Sequence, residues 1–248
     1  MKLRRFKIER ECIRGQEAII KDPGEIRHIC KVLRLKVGDG VVLFDGEGKE
    51  YQATIASFSP REISLALLEQ LPPDTTESPL RVILGLGILK SSKFDWLIQK
   101  ATELGVSEIV PFYSSRVIPR WEEKRIQLRQ SRWQKIASEA AKQCGRTKVL
   151  IVHSPRSFQE ALAMEFEGAI KIFLWEREKT RSLKDALRQP VSGVYALVGP
   201  EGGFSEQEAL EAQEGGFLPV RLGPRILRAE TAGLVISSLL QFILGDLS

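Results

Sequence analysis

The sequence predicts a two-part α/β protein, a small β-rich domain followed by a larger one built on a mostly parallel sheet. Three observations carry this. The first 71 residues break into short β-like runs. The stretch "LPPDTTESP", Leu71 to Pro79, gathers proline and small polar residues between apolar segments, as domain boundaries do. Beyond it, apolar strands alternate with helical patterns, and such alternation implies parallel strands joined by crossover helices. The expected division is a first domain at 1–71, a linker at 72–79 and a second domain at 80–248.

In the first part, "DGVVLFDGEGKEYQATIASFSPREISLALLE" reads as strands punctuated by Gly46, Gly48 and "SPRE", with alternation in "YQATIASF". A small barrel or sandwich fits. In the second part "LRVILGLGIL" is a candidate buried strand. Phe94, Leu97, Ile98, Ala101 and Leu104 then share one helix face, which ends at Gly105. "SEIVPFYS" is the next strand, and a helix through "WQKIASEAAKQC" stops at Gly145. There follow "KVLIVHS", a helix around "FQEALAM", the strands "AIKIFLWE" and "VYALVGPEGG", a further strand in "LPVRLG", and the apolar helix "GLVISSLLQFIL".

Composition narrows the function. The start, "MKLRRFKIER", is charged throughout and has no signal-peptide core. No apolar run reaches the length of a membrane span. Cys12, Cys30 and Cys144 form no CxxC, and with only His28 and His153 beside them no metal site is expected. The cytoplasm is the default compartment. Net charge is +5, but residues 81–148 alone carry 14 Lys/Arg against 6 Asp/Glu. That surplus suits either a face for nucleic-acid phosphates or a solvated helix, since "RWEEKRIQLRQSRWQK" mixes both signs.

Two loops carry the candidate chemistry. In "LVGPEGGFSEQE" an apolar strand ends at Val198, and Ser205 with Glu208 has capping-box spacing. Gly199 to Phe204 therefore joins a strand end to a helix start, where open α/β sheets hold ligands. Its glycines allow close backbone approach. The loop is neither a Walker A nor a GxGxxG motif, and "GLGILK" at Gly85–Lys90 is weaker still. In "LGPRILRAETAGL" the loop with Gly223 and Pro224 places Arg225 and Arg228 near a helix start. Cations there oppose the helix dipole, so they serve an anion or pair with Glu230.

These segments together resemble the SPOUT methyltransferases, and among them the RsmE family, which methylates N3 of a uridine in 16S ribosomal RNA (U1498 in ribosomal numbering). The likeness also covers Arg5 and Phe6, "HICKVLRLKVGDGVVLFDGEGKEYQATI", "KFDWLIQKATELGVSEIVPF" and "WQKIASEAAKQCGR". Lys142 stands where the family more often has an acid, and Ala229 where threonine is common.

The resemblance implies a PUA-like β-barrel followed by a SPOUT α/β domain with a deep trefoil knot, in a homodimer whose active site lies at the interface. It implies S-adenosylmethionine as cofactor and 16S ribosomal RNA in the small subunit as partner. On this basis Leu174, Trp175, Val198, Gly199, Pro200, Glu201, Gly202, Gly203, Leu222, Gly223, Ile226, Leu227, Arg228, Thr231 and Ala232 are the expected cofactor-binding residues. Arg228 and Glu201 are the catalytic candidates. Arg4, Arg5, Arg34, Lys93, Arg116 and Arg146 are candidates for RNA contacts, with Arg120 beside them. His28 reads as a packed residue, and Trp96 and Trp121 as bases' stacking partners more readily than Trp133. Two alternatives stand beside this reading: a SPOUT enzyme acting on another base or a ribose hydroxyl, and a ribosome-binding protein without catalysis.

Overall fold

The computed structural model describes residues 4–72, 76–115, 121–189 and 191–247. Arg116, Arg120 and the middle of the proline-rich boundary (73–75) lie outside the described residues. The chain forms two compact units. One is Met1–Glu77 with Ala141–Val149, and the other is Ser78–Ala140 with Leu150–Ser248.

The first unit contains β1 (Arg4–Lys7), β2 (Ile13–Arg14), β3 (Glu17–Ile20), a short helix α1 (Pro23–Arg27) running into a π-turn at His28–Leu33, β4 (Gly40–Phe44), β5 (Glu50–Phe58) and β6 (Ile63–Gln70). They form one sheet ordered β1-β4-β5-β6-β3-β2, antiparallel except for β1 beside β4. It is a single sheet and not a sandwich. Register shifts at Gln52/Ala53 and Ile55/Ser57 mark irregularities between β5 and β6, of the kind that bend strands and curl a sheet. Phe6, Ile20, Ile29, Leu43, Ile55 and Leu65 belong to one buried cluster that forms the core of this unit.

The 141–149 segment is tied into this unit by charge. Arg5 bonds Glu50 at 2.6 Å and donates to the Arg146 carbonyl at 2.9 Å. Arg146, only 6% exposed, bonds Glu77 at 3.0 Å, and the other oxygen of Glu77 accepts the Thr147 and Lys148 amides. Lys142, the departure noted in the sequence, reaches Glu25 at 2.6 Å and lies over the Phe6 ring. Arg5 and Arg146 are therefore structural ion-pair partners rather than solvated bases. Their carboxylates are dozens of residues away in sequence, which hid the pairing. His28 is half-exposed, edge-on to Phe6.

The second unit comprises β7 (Arg81–Gly87), α2 (Ser91–Glu103), β8 (Glu108–Tyr113), most of α3 (Glu123–Cys144), β9 (Ile151–Val152), β10 (Arg156–Ser157), α4 (Phe158–Leu162), β11 (Ala169–Leu174), α5 (Leu183–Ala186), β12 (Gly193–Val198), α6 (Glu206–Glu214), β13 (Leu218–Val220) and α7 (Ala229–Leu244). All its strand pairs are parallel, in the order β10-β8-β7-β12-β11-β13, with β9 beside β8. The two parts make the expected α/β class, a curled β domain plus a mostly parallel sheet. Among the described residues no helix is long and apolar enough to cross a membrane, and no three His, Cys, Asp or Glu side chains group as metal ligands.

Strand parity assigns the helices to faces. Ile83 of β7 belongs to the cluster with Phe112, Tyr195 and Leu197 that α4 and α6 cover. Leu86, of opposite parity, meets Gly233 of α7, which also touches Leu97 of α2. The predicted face of α2 is buried at Phe94, Leu97, Ile98 and Ala101. Gly105 then takes φ +76 and ends the helix. In α7 the buried Gln241 is satisfied by Ser78 at 2.6 Å and by the Gly105 carbonyl at 3.1 Å, so this polar group costs the core little.

Candidate functional site

The adjacent strands β12, β11 and β13 end side by side, and the three segments that follow them enclose a cavity of about 230 Å³. One wall is Leu174–Glu176, the second is Val198–Phe204, and the third is Val220–Leu227 with Ala229 and Ala232 of α7. The carboxyl ends of parallel strands are where this sheet class holds ligands.

The glycine wall is shaped by close approach. Gly203 has φ +67, and its amide donates to the Pro200 carbonyl at 2.9 Å, closing a turn over residues 200–203. A Cβ on Gly203 would stand 3.0 Å from a Glu176 oxygen, and one on Gly199 3.2 Å from the Gly203 carbonyl carbon. Phe204 anchors the loop. It is 2% exposed and packs on Phe112, Phe158 and Phe173. The expected capping box forms as well: Ser205 accepts the Glu208 amide and Glu208 accepts the Ser205 amide. Glu208 also accepts the Ser115 amide at 2.8 Å, which pins the helix that follows the loop.

Beneath the loop lies a close approach that the sequence did not disclose. β7 pairs with β12 in a register that sets Leu86 opposite Val198, so Gly87 comes next to the glycine loop. A Cβ on Gly87 would sit 2.5 Å from the Pro200 nitrogen and 2.7 Å from its Cδ. "GLG" is therefore not a phosphate motif. Gly85 yields its space to Leu197 and Tyr195, and Gly87 yields its space to the pocket loop.

A single ammonium joins two walls. Lys93, at the start of α2, bonds Glu201 of the glycine loop at 2.7 Å and Glu230 of α7 at 3.1 Å. Both carboxylates raise the lysine pKa, hydrogen bonding to Glu201 most. Burial pushes Glu230 up, but its own backbone amide, Lys93 and Arg228 outweigh that and hold it below the ordinary range. Glu230 thus pairs with Lys93, where the sequence suggested an arginine partner, and Lys93, read from the sequence as a candidate for RNA contact, is engaged by a carboxylate on each side. Spacing from position 93 to 201 and 230 gave no signal of this.

The cavity takes in the expected cofactor residues from Leu174 to Ala232 with two exceptions, Arg228 and Thr231. Arg228 is the N-cap of α7 in extended backbone (φ −63, ψ 151). Its neighbours Leu227 and Ala229 face the cavity, while its own side chain is exposed. Thr231 precedes Ala232 by one helical step, about 100° of rotation, and is exposed too. Arg221 and Arg225, not among the expected residues, line the cavity along with Glu176.

Two residues beyond the wall after β11, Glu178 holds a turn together. The Arg181 amide, the Thr180 hydroxyl and the Thr180 amide donate to one of its oxygens at 2.9, 2.7 and 2.7 Å. These bonds lower its pKa from 4.5 to about 2. A carboxylate lowered in the folded state contributes stability that is complete above its unfolded value and lost as pH falls through the folded one. Wild-type stability should therefore decline between about pH 4.5 and 2 more steeply than that of Glu178→Gln, in urea titrations run at stepped pH. Parallel slopes would refute it.

The site suits S-adenosylmethionine on its own features. The cavity lies at the carboxyl ends of parallel strands, apolar residues such as Leu174, Val198 and Leu227 line it, and the indole N–H of Trp175 is buried without a partner. Similarity to known proteins points the same way. Residues 76–241 match the RNA methyltransferase domain family and residues 20–68 the RNA methyltransferase PUA domain family. The chain is 32% identical over 224 residues (88% of it, 87% of the relative) to ribosomal RNA small subunit methyltransferase E of Bacillus subtilis. It is 33% identical over 248 residues (99% and 95%) to the protein of that name in Buchnera aphidicola. Among solved structures, ribosomal RNA small subunit methyltransferase E of Neisseria gonorrhoeae bound to S-adenosylmethionine aligns over 100% of both chains, with TM-score 0.88 and 34% identity. A Legionella pneumophila methyltransferase in complex with the same cofactor aligns over 100% of both, at TM-score 0.90 and 31% identity.

Proposed function

The chain belongs to the ribosomal RNA small subunit methyltransferase E family, SPOUT-type enzymes that use S-adenosylmethionine, and from that membership we propose that it methylates N3 of a uridine in 16S ribosomal RNA. The observation that carries this is the cavity at the ends of β11, β12 and β13, in a chain alignable along its whole length with a cofactor-bound relative.

The cofactor supplies an electrophilic methyl group on a sulfonium. Leu174–Trp175, Val198–Gly203 and Leu222–Leu227 with Ala232 would hold it, chiefly through backbone amides and carbonyls. Methyl transfer is an in-line displacement, so positioning dominates. The uridine N3 must lose its proton, and the resulting anion spreads onto O2 and O4. Arg228, exposed at the rim between two cavity-lining residues, is the group we assign to favour that anion, since a guanidinium does not titrate. Glu201 is engaged by Lys93 and serves to position the loop. Arg4 and Arg34 are exposed and remain the RNA-side candidates of the first unit. Arg34 also stands at φ 55, the one non-glycine with positive φ among the described residues.

Arg228→Ala should lower kcat on the order of 10²- to 10³-fold, as loss of a developing-charge donor does. Cofactor affinity by calorimetry should stay nearly unchanged, because its side chain does not line the cavity. Loss of cofactor binding would refute the electrostatic role.

The homodimer is proposed on α7. Its buried stripe faces α2 and the sheet, yet Phe242 is 61% and Ile243 37% exposed. Sedimentation at micromolar concentration tests it. The reaction itself is tested by incubating unmodified small subunits, and separately naked 16S RNA, with the protein and S-adenosylmethionine, then analysing nucleosides by mass spectrometry. 3-Methyluridine is expected. Another methylated base or a 2′-O-methyl nucleoside would replace the target while leaving the fold and cofactor in place.

A further inference from the structure

The positive surplus of residues 81–148 is left unused by the pocket, and part of it has a defined place. From Glu123 to Lys135, α3 carries five Lys/Arg against one acid. Arg125, Arg129 and Arg132 stand at i, i+4 and i+7, one face of the helix. Trp121, one turn before Arg125, lies under two of them: the Arg129 guanidinium is 4.1 Å and that of Arg125 5.9 Å from its ring centroid. The indole is itself braced by Tyr113 at 5.9 Å and Trp133 at 6.0 Å, and Trp133 is buried. Arg132 bonds Asp95 of α2 at 2.7 and 3.1 Å and is 65% exposed along its side chain.

Such a face is costly to assemble without an anion. Burial and the neighbouring Arg125 hold the Arg129 pKa below its usual value, with Arg132 adding to this against Asp95 and Tyr113. Guanidiniums held against an indole have lost rotamer freedom, and the exposed Arg125 and Arg132 keep cationic groups at the surface, where a fork of N–H donors suits phosphate oxygens. Asp95 lies within one turn of Lys93 on α2, so the face is close along the chain to the pocket rim.

We propose that the Trp121–Arg125–Arg129–Arg132 face of α3 is a phosphate-binding surface for the ribosomal RNA substrate. It grips backbone and not base edges, so it adds affinity and orientation without sequence preference. This rests on the small-subunit RNA reading above.

The test is filter binding of a radiolabelled 16S RNA transcript between 50 and 200 mM salt, with calorimetric S-adenosylmethionine binding as the fold control. Removing one cation that grips a phosphate should flatten the slope of log K against log salt by about one. Arg125→Gln, at an exposed position, should flatten it by about one, and Arg125→Gln with Arg129→Gln by about two, both with cofactor binding intact. Unchanged slope and affinity in Arg125→Gln would overturn the proposal. So would weakened binding to intact small subunits with unchanged binding to naked RNA, which would assign the face to a ribosomal protein. Absence of 3-methyluridine with the wild type would remove the uridine reading alone, since the salt slope is read without catalysis.

Discussion

Gly87→Ala will disable cofactor binding although Gly87 is not among the residues lining the cavity. Its added methyl would meet the Pro200 nitrogen at 2.5 Å, the Pro200 ring at 2.7 Å and the Gly199 carbonyl carbon at 3.0 Å. None of these is the free end of a flexible side chain. Either β7 or the loop must move, and β7 is hydrogen-bonded on both sides, to β8 and β12. The loop therefore yields. Overpacking of this kind costs about 1–3 kcal/mol of stability. The larger consequence is at the site, where we expect S-adenosylmethionine affinity to fall at least roughly tenfold, on the scale by which small displacements disturb a positioned ligand. Gly216→Ala is the control. It carries φ +85 with open space around the new methyl, so it should lower stability by about 1 kcal/mol and leave binding intact. A folded Gly87→Ala protein with wild-type affinity would sink the argument.

The second large effect is expected at Lys93. Removing its ammonium leaves Glu201 and Glu230 facing each other with no cation between the glycine loop and α7. Lys93→Met should reduce kcat on the order of ten- to a hundredfold by releasing the geometry of the two walls. Lys93→Arg should recover most of it, because a guanidinium can span both carboxylates. The rescue distinguishes a tie from an RNA-binding cation. An RNA role would show as a changed salt slope with S-adenosylmethionine affinity unmoved, whereas the tie predicts the reverse.

Local features of the fold were legible because they depend on residues a few positions apart. The Ser205–Glu208 capping box, the buried face of α2 and its end at Gly105 all belong to this class. The glycine loop was legible as a strand-to-helix turn. Its proposed role as a cofactor wall comes from resemblance, as does the expectation of a knot, since threading leaves no trace in periodicity. What stayed hidden was pairing at long range. Arg5 and Arg146 read as surface bases until Glu50 and Glu77 came beside them, and Lys93 until Glu201 and Glu230 did. A charged residue declares its sign in the sequence but not its partner. Gly87 was hidden for the same reason, its neighbour Pro200 being supplied by another strand.

The 141–149 segment also sets an order of events during synthesis. Arg5, Glu50 and Glu77 emerge from the ribosome early. The Arg146 guanidinium and the Thr147 and Lys148 amides that answer Glu77 follow it by 69, 70 and 71 residues. At ordinary elongation rates that is a delay of roughly 3 to 14 seconds. During it the first unit must hold its curled sheet with Glu77 unanswered, and the nascent second unit grows in the interval. The amino-terminal unit is thus the first begun and not the first finished. A truncation at the proline-rich boundary would freeze the chain at that incomplete stage.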